Sequence, residues 1–173
     1  LELQLPLNAG IRSAGERLER HRFRAMGSPC EMVFGGLEPG AAATLAADVE
    51  RDVSRLEARY SRYRPDSLLS RINSVAAEGG EIDVDAETGS LLDYAATCHR
   101  QSDGLFDITS GILRSAWRFD SGDLPRQAHI EELRRRVGWQ YVRWQAPRLS
   151  FDRPGMELDF GGIVKEYAVD RAV

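Results

Sequence analysis

The sequence predicts an α+β fold, on three observations. Apolar residues recur at steps of three and four in some stretches, which marks helices, and at steps of two in others, which marks strands. The two kinds of stretch do not follow one another in the regular βαβ order that builds a parallel sheet. A chain of 173 residues with 42% hydrophobic content is long enough to bury one ordinary core, so length alone predicts one domain.

The elements follow in order. Residues 1–18 carry no regular apolar period and are expected to form an extended arm, with the packed domain covering residues 19–173. Between Pro29 and Phe34 the residues Cys30, Met32 and Phe34 alternate as in a strand, and Gly35-Gly36 ends it. Ala42, Leu45, Val49, Val53, Leu56 and Tyr60 lie on one stripe of a long helix opening near Pro39. Asp66-Ser67 can cap a short helix carrying Leu68, Leu69 and Ile72, and Ile82 and Val84 then alternate in a short strand. A helix over residues 86–101 buries Leu92, Ala95, Ala96 and His99 or their neighbours, and Asp103-Gly104 forces a turn. Gly111 to Trp117 reads as a short helix, residues 121–125 as a loop and Ile130 to Val137 as another helix. Tyr141 to Trp144, Leu149 to Phe151 and Met156 to Phe160 read as strands of a meander, and after Gly161-Gly162 a last helix runs to Val173. The opening Leu1 reads as a processed or engineered terminus, and a final helix with nothing after it to cap it reads as an interrupted chain.

Composition excludes several classes. Twenty-three basic against 27 acidic residues give a net charge of -4, and no basic stretch is interleaved with aromatics, which argues against a nucleic-acid surface. Arg134 to Arg136 follow Glu131-Glu132 on a helical pattern and read as a solvated face. No run of about 18 apolar residues is present, so no transmembrane segment is expected, and LELQLPLNAG has no signal-peptide pattern. Cys30 and Cys98 lack the spacing of a zinc or redox site and read as buried, inert thiols. His21, His99 and His129 are scattered too widely for a ligand pair and read as surface or half-buried residues.

Three stretches hold residue types that suit a phosphate-bearing aromatic ligand. In Arg24-Ala25-Met26-Gly27 a glycine permits close backbone approach and a thioether packs well on a flat ring, although a plain turn with a buried Met accounts for the same residues. In Ser102 to Thr109 a tight turn delivers an aromatic, a carboxylate and a hydroxyl onto a strand, with Phe106 and Ile108 on one face and Asp107 and Thr109 on the other. In Leu158 to Lys165 a strand, paired glycines and a helix start offer amide groups and one lysine to an anion, without Walker or G-x-G-x-x-G spacing.

Met26-Gly27, then S-R-Y-R-P-D-S-L-L-S-R-I-N from Ser61 to Asn73, S-D-G-L-F-D-I-T from Ser102 to Thr109, and L-D-F-G-G-I-V-K-E-Y-A-V-D from Leu158 to Asp170 form an ordered set. Together they resemble the signature of the ApbE family, the FAD:protein FMN transferases, over about residues 21–173. The resemblance implies an ApbE-like, T-fold-related α+β fold, of which this chain is the N-terminal portion and lacks the C-terminal half. It implies transfer of FMN from FAD to a Thr or Ser hydroxyl of an acceptor flavoprotein, with release of AMP and dependence on Mg²⁺. An FAD-binding protein without transfer activity, an FAD pyrophosphatase and a purely structural domain stay open beside it. By the same resemblance Met26 would lie against the flavin and Tyr63 would be a second aromatic contact. Leu105, Phe106 and Asp107 would line the cofactor pocket, Asp159 would hydrogen-bond the adenosine part of FAD, and Lys165 would approach the ligand. The Gly162 carbonyl would be one ligand of Mg²⁺, and no catalytic base is identified. Glu166 stands where the family text more often has Gly, adding a negative charge near Lys165. With the other metal ligands in the missing half, the chain by itself is expected to bind no Mg²⁺ tightly and to transfer no FMN. Family members are often envelope proteins, but no lipidated cysteine stands near this N-terminus, so the compartment stays open.

Overall fold

The structure, a computed structural model, describes residues 18–38, 40–117, 122 and 124–173. The expected arm, apart from Leu18, the Pro39 helix start and residues 121 and 123 of the expected loop lie outside them. The chain divides into two compact units, one ending at Arg51 and the other running from Asp52 to Val173.

The first unit holds an antiparallel hairpin of β1, Glu19–Ala25, and β2, Ser28–Phe34, paired in continuous register from Glu19 opposite Phe34 to Ala25 opposite Ser28. The expected 29–34 strand is therefore present, one residue longer. Helix α1, Ala41–Tyr60, begins here and crosses the boundary into the second unit. Its stripe holds at Ala42, Val53, Leu56 and Tyr60, but Leu45 is exposed and Ala46 is buried in its place. Cys30 and Cys98 are free and half-buried rather than fully buried.

The second unit continues with α2, Leu68–Glu78, capped as expected: the Ser67 hydroxyl accepts from Ser70 N at 2.9 Å, and Gly79 closes the helix in the left-handed region at φ 72°. Helix α3, Ala86–Gln101, matches the expected span, with Asp85 accepting from Thr88 N at its start. A 3-10 turn covers Gly111–Ala116, and α4 covers Gln127–Arg134, starting three residues before the expected Ile130. The small sheet has the order β3-β5-β4, all antiparallel, from β3 Glu81–Asp83, β4 Val142–Gln145 and β5 Arg148–Phe151. Helix α5, Val164–Ala172, ends the unit.

Two segments expected as strands are not strands. Residues 156–160 are not the third strand of a meander, because β3 occupies the free edge of β5. The alternation that suggested a strand is real, since Met156, Leu158 and Phe160 are buried, but it seats the segment in the core against Tyr60, whose ring meets that of Phe160 edge-on at 5.5 Å. Its backbone finds partners elsewhere. The Asn73 carboxamide accepts from Leu158 N at 2.8 Å and donates to Leu158 O at 3.0 Å, and Asp159 N donates to Ile108 O at 2.8 Å. Residues 105–109 are likewise not a strand; they form a series of turns ending in a single parallel bridge between Ser110 and Glu157.

Helix α5 is tied to α1 and α3 by charge. Arg171 pairs with Asp52 at 2.6 Å, Asp52 with Arg55 at 2.8 Å, and Arg55 grips both Glu87 oxygens at 2.7 Å, while Tyr167 OH donates to Glu87 at 3.4 Å. The hydrogen bonds from Arg55 hold the Glu87 carboxyl below the usual range against the opposing effect of burial.

Two outcomes follow for stability. Asn73→Asp keeps the shape but sets a carboxylate oxygen against the Leu158 carbonyl, and is expected to cost about 1–3 kcal/mol by urea denaturation; unchanged stability would show that this clamp contributes nothing. A carboxylate whose folded pKa is depressed stabilises fully above its unfolded pKa of about 4.3 and loses that contribution as pH falls through the folded value. Glu87→Gln is therefore expected to lower stability at pH 7 and to flatten the acid limb below about pH 4.3, read from denaturation midpoints across that range.

Candidate functional site

In the second unit, the turns after α3 are held by backbone and side-chain hydrogen bonds. Gly104 N donates to His99 O at 2.9 Å, with Asp103 and Gly104 both at positive φ, 52° and 80°. Phe106 N donates to the Ser102 hydroxyl at 2.9 Å and Phe106 O meets His99 Nδ1 at 3.0 Å, so the Phe106 backbone is held on both sides. Leu105, between these anchors, is 92% exposed.

Asp107 is turned inward. Its Oδ1 accepts from Thr109 N at 2.8 Å and Thr109 Oγ1 at 2.7 Å, and its Oδ2 accepts from Trp139 N at 3.0 Å. The buried Thr109 hydroxyl accepts in turn from Gly138 N at 2.7 Å. The carboxylate thus pins this turn to residues 138–139, which is how it shapes the surface above it.

The Phe106 ring reaches the paired glycines. A Cβ on Gly162 would stand 3.0 Å from Phe106 Cε2, so the absent side chain is what lets the two loops touch. Gly161 N donates to Asp159 Oδ1 at 2.9 Å, and a Cβ on Gly161 would stand 3.1 Å from that oxygen. On the other side Gly111 packs against residues 157–159, where a Cβ would fall 3.1 Å from Glu157 O and Asp159 Cβ. Asp159 Oδ2 pairs with the Arg62 guanidinium.

Tyr63, next to Arg62, is 77% exposed, and the Arg114 guanidinium lies 5.3 Å from the centre of its ring. Lys165 is exposed on the first turn of α5. Ile163 N and Val164 N both donate to Phe160 O and Tyr167 N donates to Ile163 O, which leaves the Gly162 carbonyl outside the α5 ladder. Its oxygen therefore suits a hard cation in donor type. In the first unit, Met26 and Gly27 form the two-residue β1–β2 turn at φ 50° and 71°, a left-handed pair in which methionine is an uncommon first member.

Of the residues expected from sequence, Phe106, Asp159 and Gly162 fall on adjoining loops with Tyr63 beside them through Arg62. Lys165 follows on α5, while Leu105 points to solvent and the Asp107 carboxylate serves the backbone. Sequence reasoning missed Arg62, Asn73, His99 and Arg114. Arg62 and Asn73 lay within the S-R-Y-R-P-D-S-L-L-S-R-I-N stretch, whose polar residues before and on an otherwise apolar helix face were the available signal. Nothing local to His99 or Arg114 marked them.

The chain matches the model of the ApbE family over residues 26–173. An FAD:protein FMN transferase of Chlamydia pneumoniae is 32% identical over 132 residues, which are 74% of this chain and 42% of that protein. One of Haemophilus influenzae is 26% identical over 132 residues, 72% of this chain and 38% of that protein. Among solved structures, the ApbE protein of Thermotoga maritima superposes with a TM-score of 0.81 at 28% identity, over 90% of this chain and 51% of that one. The flavin transferase ApbE of Vibrio cholerae has a TM-score of 0.81 at 23% identity, over 91% and 52%, a likeness of fold. The chain thus spans about half the length of the relatives it matches. A family match over residues 26–173, most of the sequence, establishes that the chain belongs to the ApbE family.

Proposed function

We propose that this chain supplies the FAD-binding face of an FAD:protein FMN transferase. The observation that carries the reading is the contact of the Phe106 ring with Gly162, which sets an aromatic edge beside the Asp159 carboxylate and the start of α5. The relatives' names point the same way. In the proposed reaction a Thr or Ser hydroxyl of an acceptor flavoprotein attacks the FMN phosphorus of FAD. The new oxygen–phosphorus bond forms as the bond to the AMP phosphate breaks, AMP leaves with the electron pair, and the hydroxyl proton is lost to a base that we assign to none of the described residues.

Tyr63, Leu105 and Phe106 are proposed to contact the ligand, Asp107 to hold the loop that carries them, Asp159 to accept hydrogen bonds from the adenosine part, and Lys165 to face the phosphates. Mg²⁺, held in part by the Gly162 carbonyl, would neutralise charge on the pyrophosphate and its leaving oxygen. One carbonyl does not satisfy an ion that takes near-octahedral oxygen coordination. The other donors are proposed to come from the part of the relatives' length that these 173 residues do not span, so the chain alone is expected to transfer no FMN and to bind Mg²⁺ weakly in calorimetric titration.

Incubating the native full-length protein with FAD, Mg²⁺ and a Thr-containing acceptor peptide is expected to add FMN to the peptide, read by mass. Free FMN with AMP would instead indicate a pyrophosphatase, and bound, unchanged FAD a carrier. At the level of the contact, Gly162→Ala is expected to weaken FAD binding by displacing the Phe106 ring, and Phe106→Leu to restore part of that loss. The coupling between the two changes is expected at about 1 kcal/mol in a double-mutant cycle; strict additivity would remove the contact from the account of binding.

A further inference from the structure

Arg62 has no role in the reading above beyond its pairing, yet its surroundings are unusual for an arginine. Its side chain is 11% exposed. A guanidinium cut off from water persists only beside an opposite charge. That charge is Asp159, whose Oδ2 it engages. Arg114 repels it and Glu157 attracts it, and burial with the Arg114 charge pushes its pKa down. Asp159 is thus the one carboxylate paired directly with it among the described residues.

The consequence falls on Asp159. Its Oδ1 is held by Gly161 N at 2.9 Å, its Cβ is closed in by Gly111, and its Oδ2 is held by Arg62. The side chain is nevertheless 31% exposed. An ionised carboxylate offers about four lone-pair sites. With one taken on each oxygen, the carboxylate is fixed in angle and still has acceptor capacity toward solvent.

We propose that Arg62 is a positioning residue for the adenosine half of FAD: it fixes the Asp159 carboxylate so that its open edge accepts hydrogen bonds from the hydroxyl or amine donors of that half. The inference rests on the assignment of Asp159 made under Proposed function. FMN has no adenosine half, so Arg62 affects affinity for FAD and ADP and leaves affinity for FMN unchanged. A residue that merely supported the fold would weaken all three together.

The test is fluorescence and calorimetric titration of the native full-length protein, wild type and Arg62→Gln, with FAD, ADP and FMN. Losing an oriented charged acceptor corresponds to a loss of about 10- to 100-fold in affinity. That loss for FAD and ADP, with FMN within about twofold, supports the inference. Arg62→Gln combined with Asp159→Asn is expected to lose no more than Asp159→Asn alone, because Arg62 acts only through that carboxylate. Should Arg62→Gln not fold, Arg62→Lys keeps the charge without the planar fork and carries the same comparison. Equal loss of all three ligands, or no loss of FAD, overturns the inference while leaving the functional reading in place. A wild-type protein that binds neither FAD nor FMN overturns that reading and the inference with it.

Discussion

A buried, strand-like segment that belongs to no sheet must still satisfy its backbone, and the way residues 156–160 do so determines where the site stands. Left unpaired, each buried N–H or C=O would cost on the order of 1–3 kcal/mol. The Asn73 carboxamide substitutes for a neighbouring strand by bonding both backbone groups of Leu158, and Ile108 O takes the amide of Asp159. These bonds bring three parts of the chain together: α2, the turns after α3, and the approach to α5. Because the side chains of Met156, Leu158 and Phe160 are buried at the same time, the segment is fixed in register as well as in place. Asp159, between two buried neighbours, faces the other way, toward Arg62.

Electrostatics extends this anchoring to α5. The helix starts without a side-chain cap, at Ile163, so its position comes from the glycine turn before it and from its far end. There Arg171 reaches Asp52 and Tyr167 reaches Glu87, which Arg55 already holds with two bonds. Exposed ion pairs contribute little singly. Joined in a network across three helices, they limit the tilt of α5 and hence the placing of Gly162 and Lys165 at its start. The polar residues around the turns after α3 act in the same manner: Ser102, His99, Asp107 and Thr109 bond to backbone, while Ile108 is buried, Phe106 half-buried and Leu105 left at the surface.

How much of this was legible in the sequence depended on whether the signal was local. Helix α3 and the Ser67 cap of α2 were readable because capping and periodicity are properties of neighbouring residues. The partner of β5 was not, since β3 lies 65 residues or more away in the chain and residues 156–160 carry a strand pattern of equal quality. Alternation reports burial on one side, and burial beside a helix looks the same as burial in a sheet. The Leu45 and Ala46 exchange has a similar cause: both fit a helical stripe, and only packing selects the smaller residue. The ordered motifs located Phe106, Asp159 and Gly162, but they gave no sign that Asp107 faces the interior, because an Asx turn and a pocket wall use the same residue types.

The places where local rules are broken cluster in the motifs that carry the proposed site. Asp103 adopts a left-handed backbone conformation without being glycine, Leu105 is almost fully exposed although apolar, and Arg62 is largely buried although charged. Each is unfavourable locally, and a sequence selected for stability alone would carry Gly, a polar residue and an apolar one at these positions. All three lie within the motifs around the Phe106 and Asp159 loops, and the first unit repeats the pattern on its own in the left-handed Met26. Such departures persist where the surroundings over-determine them and a gain elsewhere compensates. In the second unit the surroundings are visible: the backbone clamp on Phe106, the Asn73 bridge and the Asp159 pairing hold the loops that carry these residues. On the reading proposed above, this hydrogen bonding presents an aromatic edge, an apolar tip and an oriented carboxylate to a ligand with one flat apolar part and one part rich in hydrogen-bond donors.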